Sequence, residues 1–186
     1  MENRSHVEPL ESRIARFQDG HPIEIISTLL NSIDNHFNNE IRLATENDHY
    51  QTSLLFLGIH AVSLTISEGL FNTQGEAGYK MFLENYIDGD TPDTKFSNIA
   101  TEIHSWRNIL AHQWLGVSGY DIGYDYEQEE GWIKRDDVVF INPKIYSDHY
   151  LNAFVAGGSI WDFDKRFTED ELQQIKERLL VKFLAR

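Results

Sequence analysis

The chain lacks cysteine altogether and has only four prolines and two methionines among its 186 residues. Without cysteine it can form neither disulfide bonds nor thiolate ligands for a structural zinc ion, which excludes disulfide-stapled secreted scaffolds and cysteine-ligated zinc domains. This composition agrees with a reducing compartment. Residues 1–8 contain no apolar run of the kind that a secretory signal requires. We therefore expect a cytoplasmic protein.

Positive charge is also scarce. The sequence has 16 lysines and arginines against 30 aspartates and glutamates, which gives a formal net charge of −14. Because contacts with phosphates drive most non-specific binding to nucleic acids, this balance argues against a general nucleic-acid-binding protein, and no DNA partner is expected. The acidic net charge is still compatible with an enzyme that holds a single phosphate in a local basic pocket. Five of the acids lie in segment 121–130, which would repel RNA unless it points away from such a pocket.

Long apolar runs are missing as well. The longest uncharged stretch, residues 49–67, has nearly the length of a membrane span, but it contains Gln51, His60 and several serines and threonines. It predicts a central buried helix, and no membrane association is expected. With 41% apolar residues, the 186-residue chain has the size and composition for one hydrophobic core. We therefore expect a single domain over residues 1–186.

Apolar residues recur at helical spacing along most of the chain. The pattern predicts helices over about 9–18, 21–37, 48–71, 76–87, 95–115 and 143–156, and a C-terminal helix over 168–186. The C-terminal helix begins with a capping box from Thr168 to Glu171. Apolar and polar residues alternate after Gly116, and the β-branched run 138–141 follows a turn at 129–131, which predicts a β-hairpin at about 118–142. The expected fold class is all-α, a helical bundle with a small β-hairpin insertion.

The fifth predicted helix carries the residues that point to chemistry. At about 100° per residue, one face of it collects large apolar side chains and should face the core: Phe96, Ile99, Ile103, Trp106, Leu110 and Trp114. His104, Asn108 and His112 follow one another at steps of four along a different stripe, and Arg107 lies between the two faces. Arginine fits phosphate, and histidine can move a proton near neutral pH. A second face of this kind suits packing against another molecule, and in a homodimer it would meet itself.

The hexad Arg107-Asn108-Ile109-Leu110-Ala111-His112 resembles the signature of the HEPN superfamily, in which Arg is followed by Asn and, after three more residues, by His. The resemblance extends to the helical pattern on either side. It implies a HEPN-like helical bundle that acts as a metal-independent endoribonuclease without a cofactor, of the sort found in toxin–antitoxin or antiviral systems. It also implies that His112 would help activate the ribose 2′-hydroxyl as general base. Arg107 would hold the scissile phosphate, Asn108 would orient it, and the product would be a 2′,3′-cyclic phosphate.

Arg107 and His112 lie five residues apart, which places them about 140° apart on an ideal helix, so they do not converge within one chain. Two chains, or a distorted helix, would bring them together. The HEPN resemblance implies a homodimer in which the Arg and His pairs of both subunits meet in one cleft. RNA would then be the substrate, with an antitoxin protein as a further partner. His104 lies outside the family motif, and its position on the stripe predicts only an auxiliary or substrate-binding role.

Other interpretations of these residues stay open. Asn108 and His112 could belong to a buried polar network that fixes helix or dimer register, in which case the domain is a catalytically inactive dimerisation module or binds a nucleotide or partner. His60, in the apolar third helix, is expected to be a hydrogen-bonded core residue and not a ligand. Four aromatic side chains fit either base stacking or packing against a core or a neighbour, namely Tyr120, Tyr124, Tyr126 and Trp132. The eight histidines include no close pair with metal-ligand spacing, so no metal is expected.

Overall fold

The computed structural model describes residues 9–46, 52–113 and 122–184. In this part the chain is mostly helical and contains a three-stranded sheet, which confirms an all-α fold with a small β insertion. The helices are α1 (Leu10–Asp19), α2 (Pro22–Ser32), α3 (Asn39–Glu46), α4 (Thr52–Ile66), α5 (Gly75–Phe82), α6 (Ala100–Gln113), α7 (Pro143–Phe154), α8 (Phe163–Arg166) and α9 (Glu169–Leu184), and the strands are β1 (Ile122–Tyr124), β2 (Trp132–Arg135) and β3 (Val138–Ile141).

The described residues form two compact units. The first unit takes residues 9–32 and 163–184, from the two ends of the described chain, and the second takes residues 33–162. Every residue of the proposed site belongs to the second unit. The expectation of one domain over the whole chain stays a prediction.

In the first unit, α2 packs along α9. The core of the first unit consists of buried apolar side chains at helical spacing, namely Phe17, Ile25, Ile26, Leu30, Leu172, Ile175 and Leu179. The predicted capping box is confirmed, since the Thr168 backbone N–H donates to Glu171 Oε2 at 2.8 Å and the Glu171 N–H donates to Thr168 Oγ1 at 3.4 Å. The buried Lys176 ammonium donates to the backbone oxygens of Gln18 and Gly20, each at 2.7 Å. This lysine therefore satisfies carbonyl groups where α1 ends.

In the second unit, α4 packs against α5, α6 and α7. Apolar side chains lie on more than one face of it, including Leu55, Phe56, Ile59, Val62 and Ile66, all of them buried. The helical stretch Thr52–Phe71 is long and apolar enough to cross a membrane by length and composition, and 56% of its most apolar window is buried inside the protein. That arrangement is typical of the core helix of a soluble protein, and it confirms the predicted central helix.

Three helical segments of the second unit contain π-helical turns. Ile33–Asn38 precedes α3, Ser67–Phe71 follows α4, and Leu83–Ile87 follows α5. In the last of these, the Asp88 N–H donates to the Leu83 oxygen, five residues earlier, at 2.9 Å. The helices predicted over 48–71 and 76–87 span two of these turns, although residues 48–51 lie outside the described part. The second predicted helix ends too early, because helical backbone extends beyond residue 37 to the end of α3.

The strand pairing differs from the predicted β-hairpin at 118–142. The strand order is β1-β3-β2: β1 runs parallel to β3, with Ile122 opposite Val139, and β2 runs antiparallel to β3, with Trp132 opposite Ile141. The hairpin turn is Asp136-Asp137, with φ of 48° and 67°. A β-hairpin therefore lies within the predicted region and is formed by β2 and β3, but the prediction that its turn lies at 129–131 is wrong. Residues 118–121 of the predicted hairpin lie outside the described chain.

Asn142 connects the sheet to α7. Its Oδ1 accepts from the N–H groups of Lys144 at 3.0 Å and Ile145 at 3.3 Å, which caps the helix, while its Nδ2 donates to the Gln128 oxygen at 2.8 Å. Pro143 occupies the first helical position, where the missing N–H costs no hydrogen bond. The helix start predicted at about residue 143 is confirmed.

Candidate functional site

One face of α6 fixes the helix in the core of the second unit. The short 3₁₀ turn Phe96–Ile99 leads into α6, and Phe96, Ile99, Ile103 and Trp106 are all buried. The Trp106 ring meets Phe56 of α4 edge-on, with ring centroids 5.0 Å apart. These four residues confirm the predicted core face. Leu110 is only half-buried, and Trp114 lies outside the described residues.

Arg107 and Asn108 form a hydrogen-bonded pair beside that face. The Arg107 Nη1 donates to Asn108 Oδ1 at 2.9 Å, and both side chains are half-buried. The Arg107 Nε is buried and has no hydrogen-bond partner among the described residues. No carboxylate of the described chain forms an ion pair with this guanidinium. Within the described part of the chain, the side-chain partner of Arg107 is therefore the neutral amide of Asn108.

His104 is joined to the core by a second histidine. The His60 Nε2 and the His104 Nδ1 lie 2.9 Å apart, within hydrogen-bond distance, and the ring centroids lie 5.0 Å apart. His60 projects from α4 and is fully buried, whereas His104 is half-buried. This confirms the prediction that His60 is a hydrogen-bonded core residue. The His104 side chain on α6 is therefore linked to the buried helix α4 through His60.

Burial and a nearby cation keep both imidazoles neutral. Desolvation by burial is the largest cause that lowers the pKa of His60, and together with the positive charges of a protonated His104 and of Arg107 it brings this pKa to about 3. Burial also lowers the pKa of His104, the negative charge of Glu76 acts to raise it, and Arg107 again lowers it. At neutral pH the guanidinium of Arg107 is therefore the fixed positive charge of this cluster.

An aromatic side chain of α5 packs against the histidine pair and is hydrogen-bonded to a second aromatic side chain on α7. The Tyr79 ring lies 4.4 Å from His60, centroid to centroid, and the Tyr79 hydroxyl is hydrogen-bonded to the Tyr146 hydroxyl at 2.7 Å. Both tyrosines are fully buried, and burial raises the pKa of each. On the α5 side, Glu76 accepts a hydrogen bond from the Thr101 hydroxyl at 2.6 Å. The pair thus lies where α4, α5 and α6 pack together.

His112 lies in the last turn of α6, as predicted, and its side chain is outside the described part of the structure. The structure brings Arg107 and Asn108 into contact with each other and places His104 near the same guanidinium. The predicted end of this helix, at about residue 115, lies outside the described residues.

The sheet lies against the same region of α6. The Tyr124 ring of β1 packs edge-on to Trp106, at 5.2 Å between centroids, and lies 6.2 Å from Phe56. The Tyr124 ring therefore packs against core aromatic residues, while 39% of this residue remains exposed. Its neighbour Asp125 lies 3.5 Å from the Arg135 guanidinium, in an exposed ion pair that partly neutralises the acidic segment.

Sequence reasoning did not assign two residues to this cluster, namely Tyr79 and His60, although it predicted His60 as a hydrogen-bonded core residue. Tyr79 carried no signal beyond its place on an apolar stripe. His60 carried one, since a histidine on a helix that is apolar most of the way round needs a polar partner. The sequence could not show that this partner is His104, which lies 44 residues further along the chain.

The described residues contain no group of three or more His, Asp or Glu side chains that could hold a metal ion. No protein-family model, no curated protein and no solved structure matches this chain. A functional assignment therefore depends on the hexad and on the arrangement of side chains around α6.

Proposed function

We propose that this chain is a metal-independent endoribonuclease of the HEPN type, acting as the toxin or effector of a toxin–antitoxin or antiviral system. One observation carries the proposal: the Arg107 guanidinium is held by a neutral amide and not by a carboxylate of the described residues. Arginines that serve packing or surface stability are commonly paired with acids, and such a pairing would compete with a phosphate. An arginine fixed without neutralisation retains its charge for an anionic substrate.

In the proposed reaction, His112 takes the proton of a ribose 2′-hydroxyl, and the 2′-oxygen attacks the adjacent phosphorus. The bond from phosphorus to the 5′-oxygen breaks, and the leaving oxygen takes up a proton. The products are a 2′,3′-cyclic phosphate and a 5′-hydroxyl. Arg107 stabilises the extra negative charge on the phosphoryl oxygens. Asn108 positions Arg107 through its Oδ1, which leaves its amide N–H groups to hydrogen-bond to the phosphate.

The proposal requires two subunits. Because Arg107 and His112 point about 140° apart on an ideal helix, two α6 helices packed across a symmetry axis would place each Arg beside the partner's His112. The net charge of −14 then has a function, since it suppresses binding to arbitrary RNA and leaves recognition to the composite cleft. An antitoxin protein covering this cleft would inhibit the enzyme.

The test is cleavage of a structured RNA by the purified full-length chain with and without EDTA. Arg107→Ala and His112→Ala should each lower the rate by about 100-fold or more, the typical cost of removing one transition-state contact or a general base. Matched controls are Arg135→Ala and His36→Ala, which remove an exposed arginine and an exposed histidine away from the hexad. Product ends should carry a 2′,3′-cyclic phosphate. Unchanged cleavage by Arg107→Ala would refute the mechanism.

A catalytically inactive dimerisation or nucleotide-binding module is the second candidate. It is favoured by the hydrogen bond between His60 and His104, because a part-buried polar pair of this kind can set the register of two packed helices without any chemistry. A purified dimer that cleaves no RNA, yet binds a nucleotide in a manner lost in Arg107→Ala, would support this candidate over the nuclease.

A further inference from the structure

We propose that His60 is a positioning residue for the site on α6. By donating its Nε2–H to His104 Nδ1, it holds His104 in the tautomer that carries its proton on Nε2. His104 then presents a hydrogen-bond donor, and not a base, beside Arg107. The placement of the donor rests on the contacts of His60 alone, whereas its use on a phosphate rests on the proposed function.

The contact between the two rings contains a single hydrogen. The two nitrogens are 2.9 Å apart, so either His60 donates to His104 or His104 donates to His60. Both rings are neutral at pH 7, and each therefore carries one proton in total. The direction of this hydrogen bond consequently determines whether the other nitrogen of each ring carries a proton.

The surroundings of His60 decide the direction. Its Nδ1 is buried and has no hydrogen-bond partner among the described residues. If His104 were the donor, His60 would carry its proton on Nδ1, and a buried N–H would lack an acceptor. If His60 is the donor, Nδ1 is an unprotonated nitrogen, and an unused lone pair is tolerated better in protein interiors than an orphaned N–H. The second arrangement is therefore favoured.

The same arrangement suits His104. Its Nδ1 accepts from His60, so its Nε2 carries the proton, and the half-buried ring leaves room for a partner outside the core. The charged groups around the pair are Arg107 on α6 and Glu76 on α5, and the aromatic ring of Tyr79 covers His60. A neutral N–H donor near a fixed guanidinium complements an anionic oxygen such as that of a phosphodiester. The role of general base is then left to His112.

The direct test needs no substrate. Long-range ¹H–¹⁵N correlation spectra of the full-length protein at pH 7 identify the protonated nitrogen of each histidine, and His104→Asn assigns the signals of His104. We expect His104 to show the pattern protonated at Nε2 and His60 the same pattern, with Nδ1 unprotonated. A His104 ring protonated at Nδ1 would overturn the proposal whether or not the protein cleaves RNA.

Variants of His60 add a test by rescue. His60→Gln keeps an N–H donor that can reach His104, whereas His60→Leu removes it, so His104 should remain protonated at Nε2 in the first and become a mixture of tautomers in the second. Ser63→Ala is the matched control, because it changes another buried polar residue of α4 without touching His104. Identical His104 spectra in the wild type and His60→Leu would contradict the assignment.

If the protein cleaves RNA, its catalytic activity also reports on the hydrogen bond from His60 to His104. His60→Leu should lower kcat/KM by about tenfold, the size expected for one lost hydrogen bond, and His60→Gln should recover most of it. Equal activity of all three proteins would remove the positioning role. A protein with the predicted tautomer and no cleavage at all would instead refute the nuclease while leaving the assignment of His104 intact.

Discussion

Acid should destabilise the second unit through His60, and one substitution isolates this effect. The folded protein keeps His60 neutral, with its pKa lowered from 6.5 to about 3 by burial and neighbouring positive charge, whereas the unfolded chain titrates near 6.5. Between these two values the unfolded state binds one more proton than the folded state. The stability that the protein has while His60 is neutral in both states is therefore fully present above pH 6.5. As the pH falls from 6.5 towards 3, the free energy of unfolding decreases by about 1.4 kcal/mol per pH unit. At pH 5 the loss is about 2 kcal/mol.

The comparison is between the wild type and His60→Gln, which keeps a donor towards His104 but cannot titrate. All four tryptophans lie within residues 33–162, so urea unfolding followed by tryptophan fluorescence reports on the second unit. Carboxylates and His104 titrate in both proteins, and only the difference between the two pH slopes belongs to His60. We expect the wild type to lose about 2 kcal/mol more than His60→Gln between pH 7 and pH 5. Parallel pH profiles would refute the neutral, buried state of His60.

Two further predictions concern other parts of the second unit. Tyr146→Phe should lower its free energy of unfolding by about 1–3 kcal/mol, because it leaves the Tyr79 hydroxyl buried without a partner, and adding Tyr79→Phe should recover part of the loss in urea titrations. Asp137→Gly should raise stability by about 0.5–1 kcal/mol, because Asp137 has a φ of 67° that glycine adopts without strain. Asp137→Ala should do the opposite, and a melting temperature raised by alanine would contradict this account of the turn.

Elements with local signals were predicted well from the sequence. Asn142-Pro143 and the box from Thr168 to Glu171 each place a capping group and a helix start within four residues, so no distant contact is needed to identify them. The core face of α6 was predicted for the same reason, since a spacing of three and four residues on one helix determines which side chains share a face.

Elements that depend on distant partners were not predicted from the sequence. Strand β1 pairs with β3 and not with its neighbour in sequence, and nothing in Ile122–Tyr124 distinguishes these partners. The hairpin turn uses Asp136-Asp137, where two aspartates adopt a positive φ without the glycine that usually indicates such a turn, while Gly131 drew the prediction to the wrong place. In the candidate site, too, the residues on one helix could be predicted, whereas the contact between two helices could not. Arg107, Asn108 and His104 could be found on one helix, but the link between His104 and His60 depends on the packing of α4 against α6.

The π-helical turn at Leu83–Ile87 affects how this chain tolerates changes in length. A helix with such a turn carries one residue more than an α-helix that follows the same path between the same ends. Deleting the exposed Glu84 would allow the segment to close as an ordinary α-helix, with the buried residues before and after it keeping their directions. Deletion of one residue from a regular helix instead rotates everything beyond it by about 100°. Length variants that keep the core should therefore be found at this turn and not in the middle of α6.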